Sequence, residues 1–276
     1  MKLFSFNTII LNTSVYIYFY NFSNNISLSI FIYLQTIMNV KKHIPNAITC
    51  CNLICGCLAI VQIFEGNLVH AAYLVGLAAI FDFFDGFVAR LLNVSSPIGK
   101  DLDSLADMVT FGVVPGFVMY QLIRISVIAQ NPNSNDTSNS LAYFAFIIPV
   151  LSAVRLAKFN NDNRQTDSFI GVPTPANAIF ICSIPLILEG DKFQFILNPF
   201  TLCFFSLILS MLLVSEIHLF ALKFKNFKWK GNEIRFMFIG LSVALIATLQ
   251  LIAIPLIIIL YILISIVSDF VKQKNT

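Results

Sequence analysis

A chain of 276 residues in which 58% are hydrophobic and only 11% charged is far from the usual balance of a soluble domain, about a quarter of whose residues are charged. Its 28 phenylalanines add to the imbalance. A formal charge of +3, evenly spread, offers no basic face, so no nucleic-acid partner is expected; the composition is that of an integral membrane protein whose surroundings are a lipid bilayer.

Residues 1–37 are rich in Asn, Ser, Ile, Phe and Tyr and carry one charge, at Lys2. They show neither a basic n-region with a clean apolar core nor an A-x-A cleavage site, and residues 27–38 are too short and polar-flanked for a span. We expect a poorly defined extension here, with translation beginning naturally at Met38, because Met38-Asn-Val-Lys-Lys-His-Ile-Pro reads as a cytoplasmic start. Beyond Ile44, apolar stretches alternate with short polar breaks. The expected spans are 45–64, 69–91, 101–128, 141–159, 174–189, 199–222, 235–252 and 254–270, each near the roughly 20 residues a crossing needs. Residues 235–270 as a single helix would run about 54 Å against a hydrocarbon core of about 30 Å, which places a tight turn at Pro255. The fold class expected is all-α, a polytopic membrane helix bundle of about eight transmembrane helices. Residues 38–222 form a core of six, and residues 223–276 a basic loop followed by two more.

The Lys and Arg positions orient the bundle. One set of segments holds Lys41 and Lys42, then Arg90 and Lys100, then Arg155, Lys158 and Arg164. The same side holds Lys223, Lys225, Lys228, Lys230 and Arg235, and finally Lys272 and Lys274. The opposite loops are neutral or acidic: Glu65-Gly-Asn, the Asn-rich stretch 129–140, and Glu189-Gly-Asp-Lys192. Both ends are therefore expected in the cytoplasm, as in a multi-pass protein of the cell (inner) membrane. Six cysteines, at 50, 51, 55, 57, 182 and 203, lie in apolar segments without paired spacing and read as packing residues; His43, His70 and His218 read as interfacial.

Four carboxylates interrupt the apolar pattern in residues 82–107: Asp82-Phe-Phe-Asp85-Gly86-Phe-Val-Ala89-Arg90, then Gly99-Lys-Asp-Leu-Asp103-Ser-Leu-Ala-Asp107. An Asp at mid-membrane costs roughly 2.5–3.5 kcal/mol on insertion scales, so four would cost on the order of 10 kcal/mol unless neutralised. Asp82 and Asp85 are three apart and Asp103 and Asp107 four apart, which puts each pair on one helix face. Gly86 and Ala89 beside the first pair let a backbone or a phosphate come close. With Asn93-Val-Ser-Ser-Pro97 as a turn, two antiparallel helices offer hard oxygen ligands to Mg²⁺ or Mn²⁺ and to substrate phosphates. Asp101 lies about 200° around the helix from Asp103 and reads as solvated or paired with Lys100. A transporter relaying ions through buried acids would hold them near the midplane between repeated halves; no repeat links the first four spans to the last four.

Read as D-x-x-D-G-x-x-A-R, eight residues, then G-x-x-x-D-x-x-x-D, this stretch resembles the signature of the CDP-alcohol phosphatidyltransferase family at every fixed position. The resemblance implies that Asp82, Asp85 and Asp103 bind metal and that Asp107 binds a second metal or takes the proton from the incoming hydroxyl. It also implies that Asp82, Gly86, Ala89, Arg90 and Gly99 line the nucleotide and pyrophosphate of a CDP-alcohol. Ile44-Pro-Asn-Ala-Ile-Thr49-Cys-Cys-Asn52, Arg155-Leu-Ala-Lys158-Phe-Asn160 and Phe169-Ile-Gly171-Val-Pro173-Thr-Pro-Ala176-Asn177 resemble the serine-using, integral-membrane branch of that family over residues 41–220. That branch implies transfer of a phosphatidyl group from CDP-diacylglycerol to L-serine with release of CMP, and a homodimer. Glycerol 3-phosphate or inositol phosphate as acceptor is the alternative.

Serine carries a carboxylate that an Arg fork can bind at two points, so Arg155 and Lys158 are acceptor candidates, with Arg164 and Gln165 behind them. Arg155 and Lys158 also fit a simple helix anchor at the headgroups. Asn46, Thr49 and Asn52 recur every third residue, facing the nucleotide or knitting helices together.

Overall fold

The computed structural model describes residues 41, 43–130, 136–162, 168–189, 191–220, 229 and 232–274. The expectations for residues 1–37, Met38, Lys42, Arg164, Gln165, Lys223, Lys225, Lys228 and Lys230 lie outside the described residues. Nine α-helices occur among those described: α1 (His43–Phe64), α2 (Leu68–Leu91), α3 (Pro97–Asp107), α4 (Val114–Gln130), α5 (Ile147–Asn161), α6 (Thr174–Leu188), α7 (Pro199–Val214), α8 (Glu233–Leu249) and α9 (Ala253–Lys274). A π-helical turn, Met108–Val113, fuses α3 to α4, and a 3₁₀ segment, Asp136–Phe146, leads into α5. This gives eight apolar helical passages, as expected for an all-α polytopic membrane bundle. The five segments long and apolar enough to cross a membrane are His43–Phe64, Leu68–Leu91, Pro97–Gln130, Ser140–Asn161 and Glu233–Asp269, with α6 and α7 shorter.

α2 shows how the sequence turns its acids inward. Ala71, Val75 and Ala78 are fully buried on one face, which packs against α6. Asp82 and Asp85 follow four and seven residues after Ala78, so helical periodicity carries them onto that same inner face. The chain then reverses through Asn93, whose φ of 52° is a left-handed conformation that asparagine tolerates. Ser96 caps α3 by accepting the Gly99 N–H at 3.0 Å, and Pro97 takes the first helical position, where no N–H is needed. Further along the same rod, Gly112 sits closely against Ser152 of α5, and Gly116 against Pro149, where a Cβ would stand 2.8 Å from the proline ring.

α6, apolar on all sides, is the central helix and touches α2, α4, α5, α7 and α9. Two three-residue strands, β1 (Ser168–Ile170) and β2 (His218–Phe220), pair antiparallel with Ser168 opposite Phe220, Phe169 opposite Leu219 and Ile170 opposite His218. One boundary differs from the sequence expectation. The break between the last two helices is a turn at Gln250–Ile252, with Gln250 at φ 51°, and not at Pro255. Pro255 lies in the first turn of α9, a position where proline starts a helix as readily as it ends one. Phe238 and Tyr261 stand 5.8 Å apart across the two helices, so α8 and α9 fold back on each other as a hairpin.

Candidate active site

α2 and α3 bring their carboxylates together as the spacing predicts. Asp82, Asp85 and Asp103 each offer an oxygen, and the three oxygens lie within 4.8 Å of one another. Asp107, one turn further along α3, lies close enough to Asp82 for their carboxyls to hydrogen-bond. Two polar residues of α1 hold two of these carboxylates: the Thr49 hydroxyl donates to Asp85 Oδ2 at 2.6 Å, and Asn52 Nδ2 donates to Asp107 Oδ1 at 3.2 Å. Asn52 is fully buried and Asp107 nearly so. Its place is therefore behind the carboxylates. Among the described residues no Lys or Arg forms an ion pair with the four acids. Carboxylates this close and this buried repel one another strongly unless a cation compensates them. The donor set, all carboxylate oxygen, fits a hard divalent cation.

Beside this cluster opens a cavity of about 250 Å³. Asn46 and Thr49 of α1, Asp85, Gly86 and Ala89 of α2, the turn 94–96, and Gly99, Lys100 and Asp103 of α3 line it. No protein atom lies within 4 Å of where a side chain on Gly86 would begin, so this glycine widens the cavity. Gly99 acts differently: a Cβ there would stand 2.9 Å from Asn46 Oδ1, so its absence lets α1 approach the start of α3. Arg90 is exposed and is not part of the lining, and Asp101 is exposed, as expected of a solvated acid. Lys100 does not pair with Asp101; its ammonium donates to the Asn160 carbonyl at 3.0 Å. Three residues before Asp103, Lys100 shares the carboxylate face, a signal present in the spacing.

A second cavity, about 320 Å³, is lined by Arg155, Lys158, Asn161, Asp162, Ile170 and residues 213–216. Arg155 is only 5% exposed, with its guanidinium carbon 5.1 Å from the Phe159 ring centroid and its Nε without a hydrogen-bond partner among the described residues. Burial rules out a headgroup anchor for Arg155, whereas Lys158 is exposed. Asn160, next to Asn161 of the second cavity, links α5 to α3: its side chain donates to Ser104 Oγ at 2.7 Å while its carbonyl takes the bond from Lys100, which lines the first cavity. The interhelical roles of Asn160 and Asn52 have no signature in sequence, since each depends on a neighbour more than fifty residues away. The cysteines are free thiols, in keeping with a packing role.

The model of the CDP-alcohol phosphatidyltransferase family matches residues 42–224. The chain belongs to this family. Among its relatives, the CDP-diacylglycerol–serine O-phosphatidyltransferase of Bacillus subtilis (strain 168) is 34% identical over 197 residues, covering 70% of this chain and 95% of that protein. The protein of the same name from Helicobacter pylori (strain 26695) is 32% identical over 75% of this chain and 83% of its own length. That of Methanocaldococcus jannaschii is 31% identical over 63% of this chain and 72% of its own length. The carboxylate cluster, both cavities and β1–β2 all lie within the matched span, whereas α8 and α9 lie beyond it.

Proposed function

We propose that this transferase moves the phosphatidyl group of CDP-diacylglycerol to the hydroxyl of L-serine, giving phosphatidylserine and CMP. The observation that carries the reading is the pairing of a three-carboxylate cluster beside one cavity with a buried Arg155, its Nε without a hydrogen-bond partner among the described residues, in the next. The names of the relatives support the same substrates.

Asp82, Asp85 and Asp103, with Asp107 adjoining, would hold Mg²⁺ or Mn²⁺, whose chemistry there is to neutralise charge on the leaving phosphate. Thr49 and Asn52 fix the carboxylates so that they need not reorganise. Asn46, Gly86, Ala89 and Gly99 form the space for the cytidine nucleotide, with Lys100 as the cation in its wall and Arg90 at its rim. Arg155 and Lys158 hold the serine carboxylate, and Arg164 is a further candidate. Asp107 takes the serine hydroxyl proton as the serine oxygen bonds to phosphorus, and the bond from phosphorus to the CMP oxygen breaks with its electron pair leaving on CMP. The segments bearing Lys41, Lys100 and Lys158 lie at the carboxylate end of the bundle. This arrangement supports a site facing the cytoplasm from the inner membrane; the catalytic core we propose is residues 38–222, working as a homodimer.

The test is product formation by purified protein in lipid with CDP-diacylglycerol and labelled serine. Labelled phosphatidylserine and stoichiometric CMP are expected. CMP release with glycerol 3-phosphate or inositol phosphate but none with serine would overturn the acceptor assignment.

A further inference from the structure

We infer that the C-terminal hairpin α8–α9, which lies outside the family match, positions the wall of the Arg155 cavity and thereby sets affinity for the acceptor. This rests on reading that cavity as the acceptor site. Opposite Arg155, the wall consists of Ile170 at the end of β1 and the stretch from Leu213 to Glu216 that leads from α7 toward β2. The two pieces are tied by backbone. Gly171 N–H donates to the Ile217 carbonyl at 2.9 Å, and Val172 N–H donates to the Leu212 carbonyl at 3.0 Å. Gly171 has φ +76°, and a Cβ on it would collide with the Leu213 carbonyl oxygen. The wall is closed at backbone contact, so its two pieces are tied to each other.

A two-stranded ladder of three residues is not stable by itself and needs an element packed over it. α9 is that element, and every residue of β2 is engaged. The Tyr261 hydroxyl donates to the Phe220 carbonyl at 2.9 Å, and the two rings stand 5.1 Å apart. Leu219 is fully buried. His218 Nδ1 lies 3.6 Å from Asp269 Oδ2, and His218 is the cross-strand partner of the wall residue Ile170. From α8, Phe238 packs on both Phe220 and Tyr261 with ring centroids 5.8 Å away, and it is the one buried residue of that helix. The hairpin packs inward on both α6 and β2, and through β2 its contact reaches the cavity.

The experiment uses the full chain in nanodiscs of fixed lipid composition, with Tyr261→Phe, Asp269→Ala, the double variant, and Asp269→Glu as the conservative control. Tyr261→Phe keeps the ring and its packing, so the fold is retained. The double variant is expected to raise the serine KM about three- to tenfold, with kcat and the CDP-diacylglycerol KM within about twofold, and Asp269→Glu to restore most of the loss. Hydrogen exchange of the amides in 170–172 and 217–220 should speed up by about tenfold, because the ladder loses its cover. Unchanged exchange, or both KM values rising together, would overturn the inference. Arg155→Lys run alongside separates the two ideas: a raised serine KM there with none in the double variant removes the hairpin's role and keeps the acceptor reading. An unmoved serine KM in Arg155→Lys removes the acceptor reading itself.

Discussion

The two cavities differ in charge and in construction: aspartates crowd the first, whereas the second sets Arg155 and Lys158 beside Asp162 and Glu216. The carboxylate cavity is built by three consecutive helices, α1 to α3, from residues 45–103, and its acids come at helical spacing from two of them. The Arg155 cavity is assembled from α5, the end of β1 and the α7–β2 junction, segments that meet only in three dimensions. One concentrates negative charge with no ion pair from a described Lys or Arg, the Lys100 in its wall donating instead to the Asn160 carbonyl; the other buries a guanidinium whose Nε has no hydrogen-bond partner among the described residues. If the first takes the donor and the second the acceptor, as proposed, the two are held at separately built sites, and damage to them should be kinetically separable. Loss in the first should fall on turnover, and loss in the second on acceptor affinity.

The largest effect is expected from Asp103→Asn. Removing one of three converging carboxylates forfeits several kcal/mol of charge stabilisation, a fall of at least about 10³-fold in CMP release, with EDTA abolishing the wild-type rate and Mg²⁺ or Mn²⁺ restoring it. A variant within tenfold of wild type, or a rate indifferent to chelator, would break the assignment. Asp107→Asn comes next. As the proton acceptor it should cost about 10²–10⁴ in kcat while CDP-diacylglycerol affinity moves less than about threefold, measured by turnover and by ligand titration of the same preparation. Equal losses in both would make Asp107 a ligand-binding group and not the base.

Arg155→Ala tests the other side. A charge-assisted hydrogen bond is worth about 1.5–3 kcal/mol, so the serine KM should rise about 10- to 100-fold with kcat changed by less than about fivefold. Arg155→Lys should fall between, since an ammonium keeps the charge but not the fork. A fall confined to kcat would assign Arg155 to the chemistry, and the sharp division between the cavities would go.

How much of this was legible follows from the same contrast. Asp82, Asp85, Asp103 and Asp107 could be placed together because helical periodicity is a local rule and a short turn separates the pairs. The same rule places Lys100 on the Asp103 face, three residues before it; the pairing with its neighbour Asp101 ran along the chain and not around the helix. Arg155, followed three residues later by Lys158 near a helix end, reads in sequence equally as a snorkelling anchor or as an acceptor group; its burial, which no spacing rule shows, speaks against the anchor. The contacts of Asn52 with Asp107, of Asn160 with Ser104 and of Tyr261 with Phe220 join residues 41 or more apart, and no spacing rule reaches across that distance. The hairpin break was misplaced because a proline in a helix's first turn marks a start, whereas the reversal itself needed a positive φ, supplied by Gln250, a residue with no turn signature.

The smallest effect expected is at the seam. Asn160 joins α5 to α3 through its amide on Ser104 and its carbonyl on Lys100, so it fixes the acceptor cavity against the carboxylate helix. Asn160→Ala removes only the side-chain bond, about 1 kcal/mol net, and leaves the carbonyl to Lys100 in place. If the cavities are separate sites held in register, the serine KM should rise about threefold while the CDP-diacylglycerol KM stays within error, because α5 shifts relative to a donor site that is anchored on α1 to α3. Combined with Arg155→Ala, the second substitution should add little, since both act on the same acceptor contact. Full additivity of the two, or an equal rise in both KM values from Asn160→Ala alone, would mean that donor and acceptor share one continuous pocket and that the division by charge is a gradient within it.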